Sequence, residues 1–277
     1  MSTSFEKAAN KTVTVDGANF VYREIGATSA IPVVFLHHLT AVLDDWDPRI
    51  VDGIAAKHRV IVFDNRGVGA SGGSTPQTVE AMARDAVAFI GALGLKKVDL
   101  LGFSLGGFVS QVIAQQHPDL VRRIILAGTG PAGGEGIANV GAVLQDAFGK
   151  AGTTKNPKQC LFFTQTRNAQ AAAAAFLGRL KERTRDLDTS VSNETVQAQI
   201  AAIQAWGQSK AAALAAVQHP VLVANGDDDV MVPTLNSFEL ARRLPNAQLS
   251  IFPDAGHGGI FQYHSVFVQQ ALAFLQQ

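Results

Sequence analysis

The sequence predicts an α/β fold in which a mostly parallel eight-stranded sheet is flanked by helices and carries a helical cap. Three observations support this prediction. Short apolar runs alternate with segments of helical periodicity. An Asp-Gly pair separates two extended runs near the N-terminus, and a long stretch in the second half of the chain contains no strand pattern.

The first two extended runs, residues 12–15 and 19–24, are separated by Asp16 and Gly17. An Asp-Gly pair between two such runs is a strong signal for a β-hairpin, because both residues tolerate the positive φ angles of a tight turn. The sequence therefore predicts antiparallel strands at one edge of the sheet.

Six further runs are apolar throughout rather than alternating, which is typical of strands buried on both faces of a parallel sheet. They span residues 32–37, 59–64, 97–102, 123–127, 221–225 and 248–252. Helical patterns lie between them, at residues 46–57, 79–93, 108–116, 238–244 and 260–275. This alternation predicts a parallel sheet that is covered by helices on both faces.

Residues 131–217 interrupt the alternation. They are rich in alanine and contain helical runs at residues 169–181 and 194–205, but no convincing strand. An insertion of this length between two strands predicts a helical cap over the strand ends. We therefore expect a core formed by residues 1–130 and 218–277, with residues 131–217 as the cap insertion.

The composition argues against several classes of function. Lysine plus arginine and aspartate plus glutamate number 23 each, so the chain has no net charge to attract nucleic acid or an anionic membrane. The single cysteine, Cys160, excludes a disulfide within the chain. The sequence shows neither a signal peptide nor an uncharged apolar stretch of 18 residues. We expect a cytoplasmic protein, and the sequence does not define its oligomeric state.

The strongest chemical signal is Ser104, which lies between Gly102 and Gly106 in the stretch Gly-Phe-Ser-Leu-Gly. The stretch follows a predicted buried strand and opens a helix, which is the context of a nucleophile elbow. Small neighbours permit a very tight turn that exposes the hydroxyl at the carboxyl edge of the sheet. The helix N-terminus favours negative charge at that point. The sequence therefore predicts Ser104 as a nucleophile.

A serine hydroxyl is a weak nucleophile without a base, and the chain has seven histidines. His257 lies in a glycine-rich loop between the last strand and the final helix. By contrast, His58, His117 and His219 lie at helix ends or strand starts, where capping or solvent contact explains them. The loop position predicts that His257 is the base.

A catalytic acid orients the imidazole and stabilises its charged form. Three consecutive aspartates, Asp227, Asp228 and Asp229, follow the penultimate strand, and the residues alone leave the choice among them open. The order serine, aspartate, histidine along the chain is the order expected of this arrangement. Adjacent histidines at positions 37 and 38 invite a metal interpretation, but neighbouring side chains on an extended run diverge. We expect no metal site and no cofactor.

Together these motifs resemble those of the α/β-hydrolase superfamily, in the serine-nucleophile branch of small esterases, lactonases and cofactor-free haloperoxidases. The likeness covers nearly the whole chain outside the cap. The family pattern G-x-x-D-x-x-V-P is matched from Gly226 to Pro233, which places the acid at Asp229. The family stretch D-x-R-G-x-G-x-S is matched by residues 64–71, to which we assign a structural role.

The resemblance also implies an oxyanion hole. In the family a His-Gly pair follows the third strand, and the N–H of the next residue and the N–H after the nucleophile are the donors. By position these are Leu39 and Leu105. His38 stands where the family has glycine, a residue chosen where the backbone needs positive φ or close approach. We expect some backbone cost there, with the His38 side chain narrowing or polarising the mouth of the pocket.

Further residues are candidates for contact with the substrate, although the cap aromatics among them can equally form the core of the cap. The candidates are His38, Phe103, Phe162 and Trp206.

The activity implied by the resemblance is acyl transfer to water. The Ser104 hydroxyl attacks an ester or lactone carbonyl, His257 takes its proton, and water then releases the acyl group. The expected partner is therefore a small-molecule ester or lactone. Dehalogenases and epoxide hydrolases of this fold carry an aspartate nucleophile, so Ser104 argues against both.

Two alternatives remain open from the sequence. A cofactor-free haloperoxidase, or perhydrolase, uses the same triad with peroxide as the acyl acceptor. A triad-retaining ligand receptor turns over slowly and changes shape on binding, so ordinary turnover of a simple ester argues against it.

Overall fold

The computed structural model describes residues 3–27, 31–152, 155–211 and 213–277. Residues 1–2 and 28–30 of the predicted core, and residues 153–154 and 212 of the predicted cap, lie outside the described residues. The described residues form one eight-stranded sheet. Its strands are β1 (Lys11–Val15), β2 (Ala18–Ile25), β3 (Val33–Leu36), β4 (Val60–Phe63), β5 (Val98–Phe103), β6 (Val121–Ala127), β7 (Val221–Gly226) and β8 (Ala247–Phe252).

The strands lie in the order β1-β2-β4-β3-β5-β6-β7-β8. β1 pairs antiparallel with β2, and β2 pairs antiparallel with β4. All other neighbours pair in parallel. The mostly parallel sheet predicted from the sequence is thereby confirmed. The predicted hairpin is also confirmed, because Asp16 and Gly17 adopt φ angles of 46° and 76° and close the turn between β1 and β2.

The inner strands are buried because their side chains face helices on both sides. Every residue of β3, β4 and β5 is buried. The flanking helices of the core are α1 (Pro48–Ala55), α2 (Val79–Ala92), α3 (Leu105–Gln116), α8 (Leu235–Arg243), α9 (Gly259–Gln262) and α10 (His264–Gln276). α1 packs against α10, and α2 packs against α3.

The start of α1 differs from the prediction for a local reason. α1 begins two residues later than predicted, because the Asp47 side chain caps its N-terminus by accepting from the Arg49 N–H at 3.0 Å, and Pro48 occupies the first helical position. The final helical pattern is divided into α9 and α10, with Tyr263 between them.

The segment between β6 and β7 is helical, and within its described part no strand interrupts it. It contains α4 (Val140–Ala151), α5 (Pro157–Leu161), α6 (Arg167–Arg179) and α7 (Asn193–Gln208). Thr166 and Ser192 cap α6 and α7 through their side-chain oxygens. The predicted runs at residues 169–181 and 194–205 correspond to α6 and α7. We call residues 131–217 the cap segment.

Ion pairs attach the cap segment to the core. Arg179 Nη2 lies 2.7 Å from Oδ2 of Asp47, whose side chain is fully buried. Lys158 on α5 donates to Asp45, which ends a short 3₁₀ helix of the core. Arg183 donates to the Ala8 carbonyl at 2.9 Å. Because buried and partly buried charge pairs are costly to break, the pairs of Arg179 with Asp47 and of Lys158 with Asp45 help to attach the cap segment to the core.

A pair of carboxyl groups forms a further contact between cap segment and core. The N–H of Leu43 donates to Oδ1 of Asp64 at 3.0 Å and to Oδ2 of Asp188, in the cap segment, at 3.2 Å. Burial, followed by the adjacent Asp188 carboxyl, raises the pKa of Asp64 well above its usual value. A proton on Asp64 therefore allows the two carboxyl groups to lie side by side.

This pair predicts a pH-dependent loss of stability. A carboxyl whose pKa is raised by folding binds more protons in the folded state, so its stabilising effect is lost as pH rises through the folded pKa. Asp188→Asn removes the second carboxylate and lowers the pKa of Asp64. We expect the melting temperature of the variant to fall less than that of the wild type between pH 5 and pH 9, measured by circular dichroism.

Asp186→Asn is the matched control, since Asp186 is an exposed carboxyl on the same segment. It should follow the wild-type dependence on pH. If the melting temperature depends on pH equally in Asp188→Asn and in the wild type, the proton assigned to Asp64 is contradicted.

Candidate active site

Ser104 lies at a strained turn between β5 and α3. Its backbone adopts φ 56° and ψ −118°, a conformation that L-residues rarely occupy. The Ser104 N–H donates to the Ala127 carbonyl at 2.9 Å, and the Ser104 carbonyl accepts from the Thr129 hydroxyl at 2.8 Å. These bonds fix the turn, so the sequence prediction of a tight strand-to-helix turn at this serine agrees with the structure.

The two glycines of the elbow are required by close approach of the backbone. A Cβ on Gly102 would overlap the Gly106 carbonyl, and a Cβ on Gly106 would overlap the Leu36 carbonyl at the end of β3. The first turn of α3 therefore lies directly against the end of β3. This contact brings the loop that leaves β3 next to the N-terminus of α3.

His257 lies in the loop between β8 and α9, and its imidazole contacts Asp229. Nδ1 of His257 lies 2.7 Å from Oδ2 of Asp229, and both side chains are buried. A carboxylate oxygen accepts, so Nδ1 carries the proton and Nε2 has the lone pair. Within the described structure, Nε2 of His257 is buried and has no hydrogen-bond partner.

Asp229 is the aspartate that the fold brings to His257. Its Oδ1 accepts from the N–H groups of Met231 at 2.8 Å and Val232 at 3.0 Å, which orients the carboxylate. Asp227 instead accepts from the backbone of the histidine loop, and Asp228 is exposed. Of the three aspartates among which the sequence left the choice open, Asp229 is therefore the one whose carboxylate contacts the imidazole of His257.

Ser104 and His257 line one cavity of about 400 Å³ between the strand ends and the cap segment, a volume suited to a small organic substrate. The remaining lining residues are His38, Leu39, Thr40, Leu144, Phe148, Asn156, Pro157, Lys158, Leu161, Phe162, Asn193, Val196 and Met231. Among the described contacts, no hydrogen bond joins the Ser104 hydroxyl to Nε2 of His257. Catalytic hydrogen bonds are often loose without substrate and tighten when it binds.

The predicted oxyanion donors both border this cavity region. Leu39 lines the cavity, and Leu105 is the first residue of α3. Over the described ranges of the chain, neither N–H has a hydrogen-bond acceptor. The next N–H, that of Thr40, is occupied instead, because Oε1 of Gln199 on α7 accepts from it at 2.7 Å. The N–H groups of Leu39 and Leu105 therefore remain available for a ligand, and their role stays a prediction.

The expectation of a strained backbone at His38 is wrong. Positive φ falls on Thr40, at 62°, and not on His38. His38 therefore occupies the position of the family's glycine without a left-handed conformation. Its imidazole is buried and lines the cavity.

The four substrate-contact candidates divide into two groups. His38 and Phe162 line the cavity. Phe103 lies behind the lining, with its ring centroid 5.2 Å from that of His38 and 4.9 Å from that of His257. The expectation that Trp206 contacts the substrate is corrected, because its ring stacks on Phe108 of α3 and its Nε1–H donates to the carbonyl of residue 130.

The sequence analysis missed two residues of this region. Gln199, which holds the Thr40 N–H, is buried, but it is one of several glutamines on α7, so the sequence gives no signal for it. Lys158 approaches the cavity through its pairing with Asp45, a contact between distant segments. Only the tertiary structure identifies either residue.

In the parts of the chain that are described, no cluster of three or more His, Cys, Asp or Glu side chains is arranged to hold a metal ion. The helices of those same parts are all too short or too polar to cross a membrane.

Comparisons with known proteins agree with this fold. The family model for the alpha/beta hydrolase fold matches residues 31–262. An alpha/beta hydrolase fold protein from Chitinophaga pinensis is 40% identical, with a TM-score of 0.96 and coverage of 99% of both chains. An enzyme that degrades N-acyl homoserine lactones is 25% identical, with a TM-score of 0.78 and coverage of 95% of this chain and 100% of the other. A non-heme chloroperoxidase of Streptomyces lividans is 28% identical over 95% of this chain and 98% of its own length.

The arrangement of the three aspartates predicts unequal effects of substitution. Asp229→Asn places an amide against Nδ1 of His257, which favours the wrong tautomer and cannot stabilise the imidazolium. We expect the turnover number for an activated ester to fall by up to about 10⁴-fold. Asp228→Asn changes an exposed side chain and should leave turnover within about threefold of the wild type, in line with the small effects of surface substitutions. A larger loss for Asp228→Asn, measured in folded protein, would contradict the assignment.

Proposed function

Because the chain belongs to the alpha/beta hydrolase fold family, we propose that it is a serine hydrolase that cleaves a carboxylic ester or lactone through an acyl-enzyme on Ser104. One observation carries the proposal. The 2.7 Å contact between His257 and Asp229 lies at the wall of the cavity that also contains Ser104. A nucleophile, an oriented base and a substrate-sized space therefore meet at the carboxyl edge of the sheet.

In the proposed reaction, Nε2 of His257 takes the proton of the Ser104 hydroxyl as Oγ attacks the carbonyl carbon. The buried Asp229 carboxylate stabilises the imidazolium that forms. His257 then gives the proton to the leaving alkoxide, and the acyl group remains on Ser104. A water molecule, deprotonated by His257, releases the acid and restores the serine.

The tetrahedral intermediate places a negative charge on the former carbonyl oxygen. The free N–H groups of Leu39 and Leu105 are its proposed donors, assisted by the positive end of α3. Donors held in place before the reaction lower the barrier because they need no reorganisation, and each contributes on the order of 10²–10³ in turnover.

The cavity favours a substrate with an apolar portion. Leu144, Leu161, Phe162, Val196 and Met231 give it an apolar wall. This lining suits an acyl chain or ring rather than a sugar or a charged group. The similarity to the enzyme that degrades N-acyl homoserine lactones supports lactones as part of the substrate range.

Perhydrolysis is a second candidate, favoured by the similarity to the chloroperoxidase of Streptomyces lividans. In that reaction hydrogen peroxide replaces water as the acceptor of the acyl group and a peracid is released. The two activities are separated by supplying acetate with peroxide and measuring peracetic acid, alongside hydrolysis of an acetate ester. Perhydrolysis is the main activity only if the ratio of peracid to acid formed is far higher than the molar ratio of peroxide to water in the assay.

Replacement of the proposed nucleophile should abolish hydrolysis without unfolding the protein. We expect Ser104→Ala to reduce turnover of aryl esters and lactones by about 10⁴-fold or more. The melting temperature should change little, because among the described residues the Ser104 hydroxyl makes no hydrogen bond with Nε2 of His257 that the substitution would remove. Cys160→Ala is the control, since Cys160 carries the only thiol of the sequence and should be dispensable. Loss of activity in Cys160→Ala, with Ser104→Ala active, would refute the proposal.

A further inference from the structure

His38 brings to the cavity an acceptor that the proposed reaction does not use. The residue is 4% exposed and lines the cavity together with Ser104 and His257. Within the part of the chain that the structure describes, its Nε2 is buried and has no hydrogen-bond partner. Buried polar atoms are nearly always hydrogen-bonded in folded proteins, so this atom calls for an explanation.

The hydrogen bonding of the ring fixes its tautomer. Nδ1 of His38 lies 2.8 Å from the Leu39 carbonyl oxygen. A carbonyl accepts only, so Nδ1 carries the proton and Nε2 has the lone pair. His257 has the same tautomer, but its Nδ1 faces the Asp229 carboxylate. Among the described residues, both histidines line one cavity and have an Nε2 without a hydrogen-bond partner. The partner at Nδ1 is charged for His257 and neutral for His38.

His38 can accept a hydrogen bond at Nε2, but its low pKa prevents it from acting as a base. Burial, followed by the nearby Lys158 ammonium, lowers the pKa of His38 to about 3. The imidazole is therefore neutral throughout the pH range in which a histidine base works. Lys158 itself donates to Asp45 and does not supply the missing donor.

Packing holds the ring in place. The Phe103 and Phe162 rings stand edge-on to it, with centroids 5.2 Å and 5.3 Å away and interplanar angles of 76° and 79°. With Nδ1 bound to the backbone as well, the imidazole is fixed before any substrate arrives. A preorganised acceptor of this kind adds specificity because no side-chain freedom is lost on binding.

We propose that Nε2 of His38 accepts a hydrogen bond from an O–H or N–H group on the carbon next to the scissile carbonyl. The position of this substrate group next to the carbonyl is inferred from the sequence, since His38 directly precedes Leu39. The N–H of Leu39 is the proposed donor to the carbonyl oxygen. The preferred substrates are then α-hydroxy or α-acylamino esters and lactones. This inference rests on the proposed function and names the substrate class of the same site.

Matched substrate pairs test the proposal. Methyl mandelate and methyl phenylacetate differ only by the α-hydroxyl group. N-hexanoyl homoserine lactone and α-hexyl-γ-butyrolactone compare an α-N–H with an apolar substituent. For each pair the measured quantity is the ratio of the two kcat/KM values, which is compared between variants so that intrinsic reactivity cancels.

Two variants separate the two ring nitrogens. His38→Asn keeps a donor near the Nδ1 position for the Leu39 carbonyl but lacks an acceptor at the Nε2 position. His38→Gln places an amide oxygen near the Nε2 position. We expect the ratio to fall about tenfold or more in His38→Asn and to be largely kept in His38→Gln. The reason is that a site with a buried acceptor for a substrate O–H or N–H group rejects the analogue that lacks this group. The pH midpoint of kcat should be unchanged in both.

Two outcomes would overturn the inference. In the first, the ratio stays at its wild-type value in His38→Asn, whether or not both members of a pair lose activity equally, which indicates a purely structural role. In the second, the pH midpoint moves. If the mandelate pair alone responds, O–H is the recognised donor, and if the lactone pair alone responds, N–H is.

A binding measurement separates this inference from the proposed function. Calorimetric affinities of methyl mandelate and methyl phenylacetate are compared in Ser104→Ala and in the Ser104→Ala/His38→Asn double variant. A hydroxyl preference that disappears in the double variant supports the inference even if wild-type turnover fails. Equal preference in the two proteins refutes it.

Discussion

The strained backbone at Ser104 is the constraint on which the site depends. It persists because its surroundings are fixed, with the Ser104 N–H bonded to Ala127 on β6 and Gly106 pressed against Leu36 at the end of β3. β3 and β5 are neighbours in the sheet, so the loop that leaves β3 and the first turn of α3 meet at one point. One tight turn thereby determines the place of the hydroxyl and of both proposed oxyanion donors.

Two histidines in one cavity illustrate how a hydrogen-bond partner sets chemical role. Both rings carry their proton on Nδ1 and leave Nε2 unpaired within the described structure. The Asp229 carboxylate behind His257 stabilises a positive charge, whereas burial of His38 and the Lys158 ammonium near it disfavour one. The cap segment contributes to both the polarity and the rigidity of this region, since Lys158 and Gln199 belong to it.

Local patterns in the sequence predicted much of the fold, because strand burial, hairpin turns and the serine elbow are short-range features. Residues of the site could be predicted only where the neighbouring residues in the sequence indicated a role. Ser104 and His257 could be chosen from their loops, but separating Asp229 from its neighbours required a family pattern. No local pattern indicated that Trp206 faces α3 instead of the cavity, or that the buried Gln199 holds the loop after β3, because both depend on how α7 packs. Within the described structure, the burial of Nε2 of His38 without a hydrogen-bond partner likewise depends on contacts between segments far apart in the chain.

The most direct test of the account is the site of covalent modification by a fluorophosphonate. Such a reagent reacts with a serine only where a base and an oxyanion hole activate it. We predict a single adduct in the intact mass, located on Ser104 by peptide mapping, and no adduct in protein that lacks the His257 imidazole. An adduct on any other residue, or unchanged labelling of His257→Ala, would contradict the proposal that His257 activates Ser104.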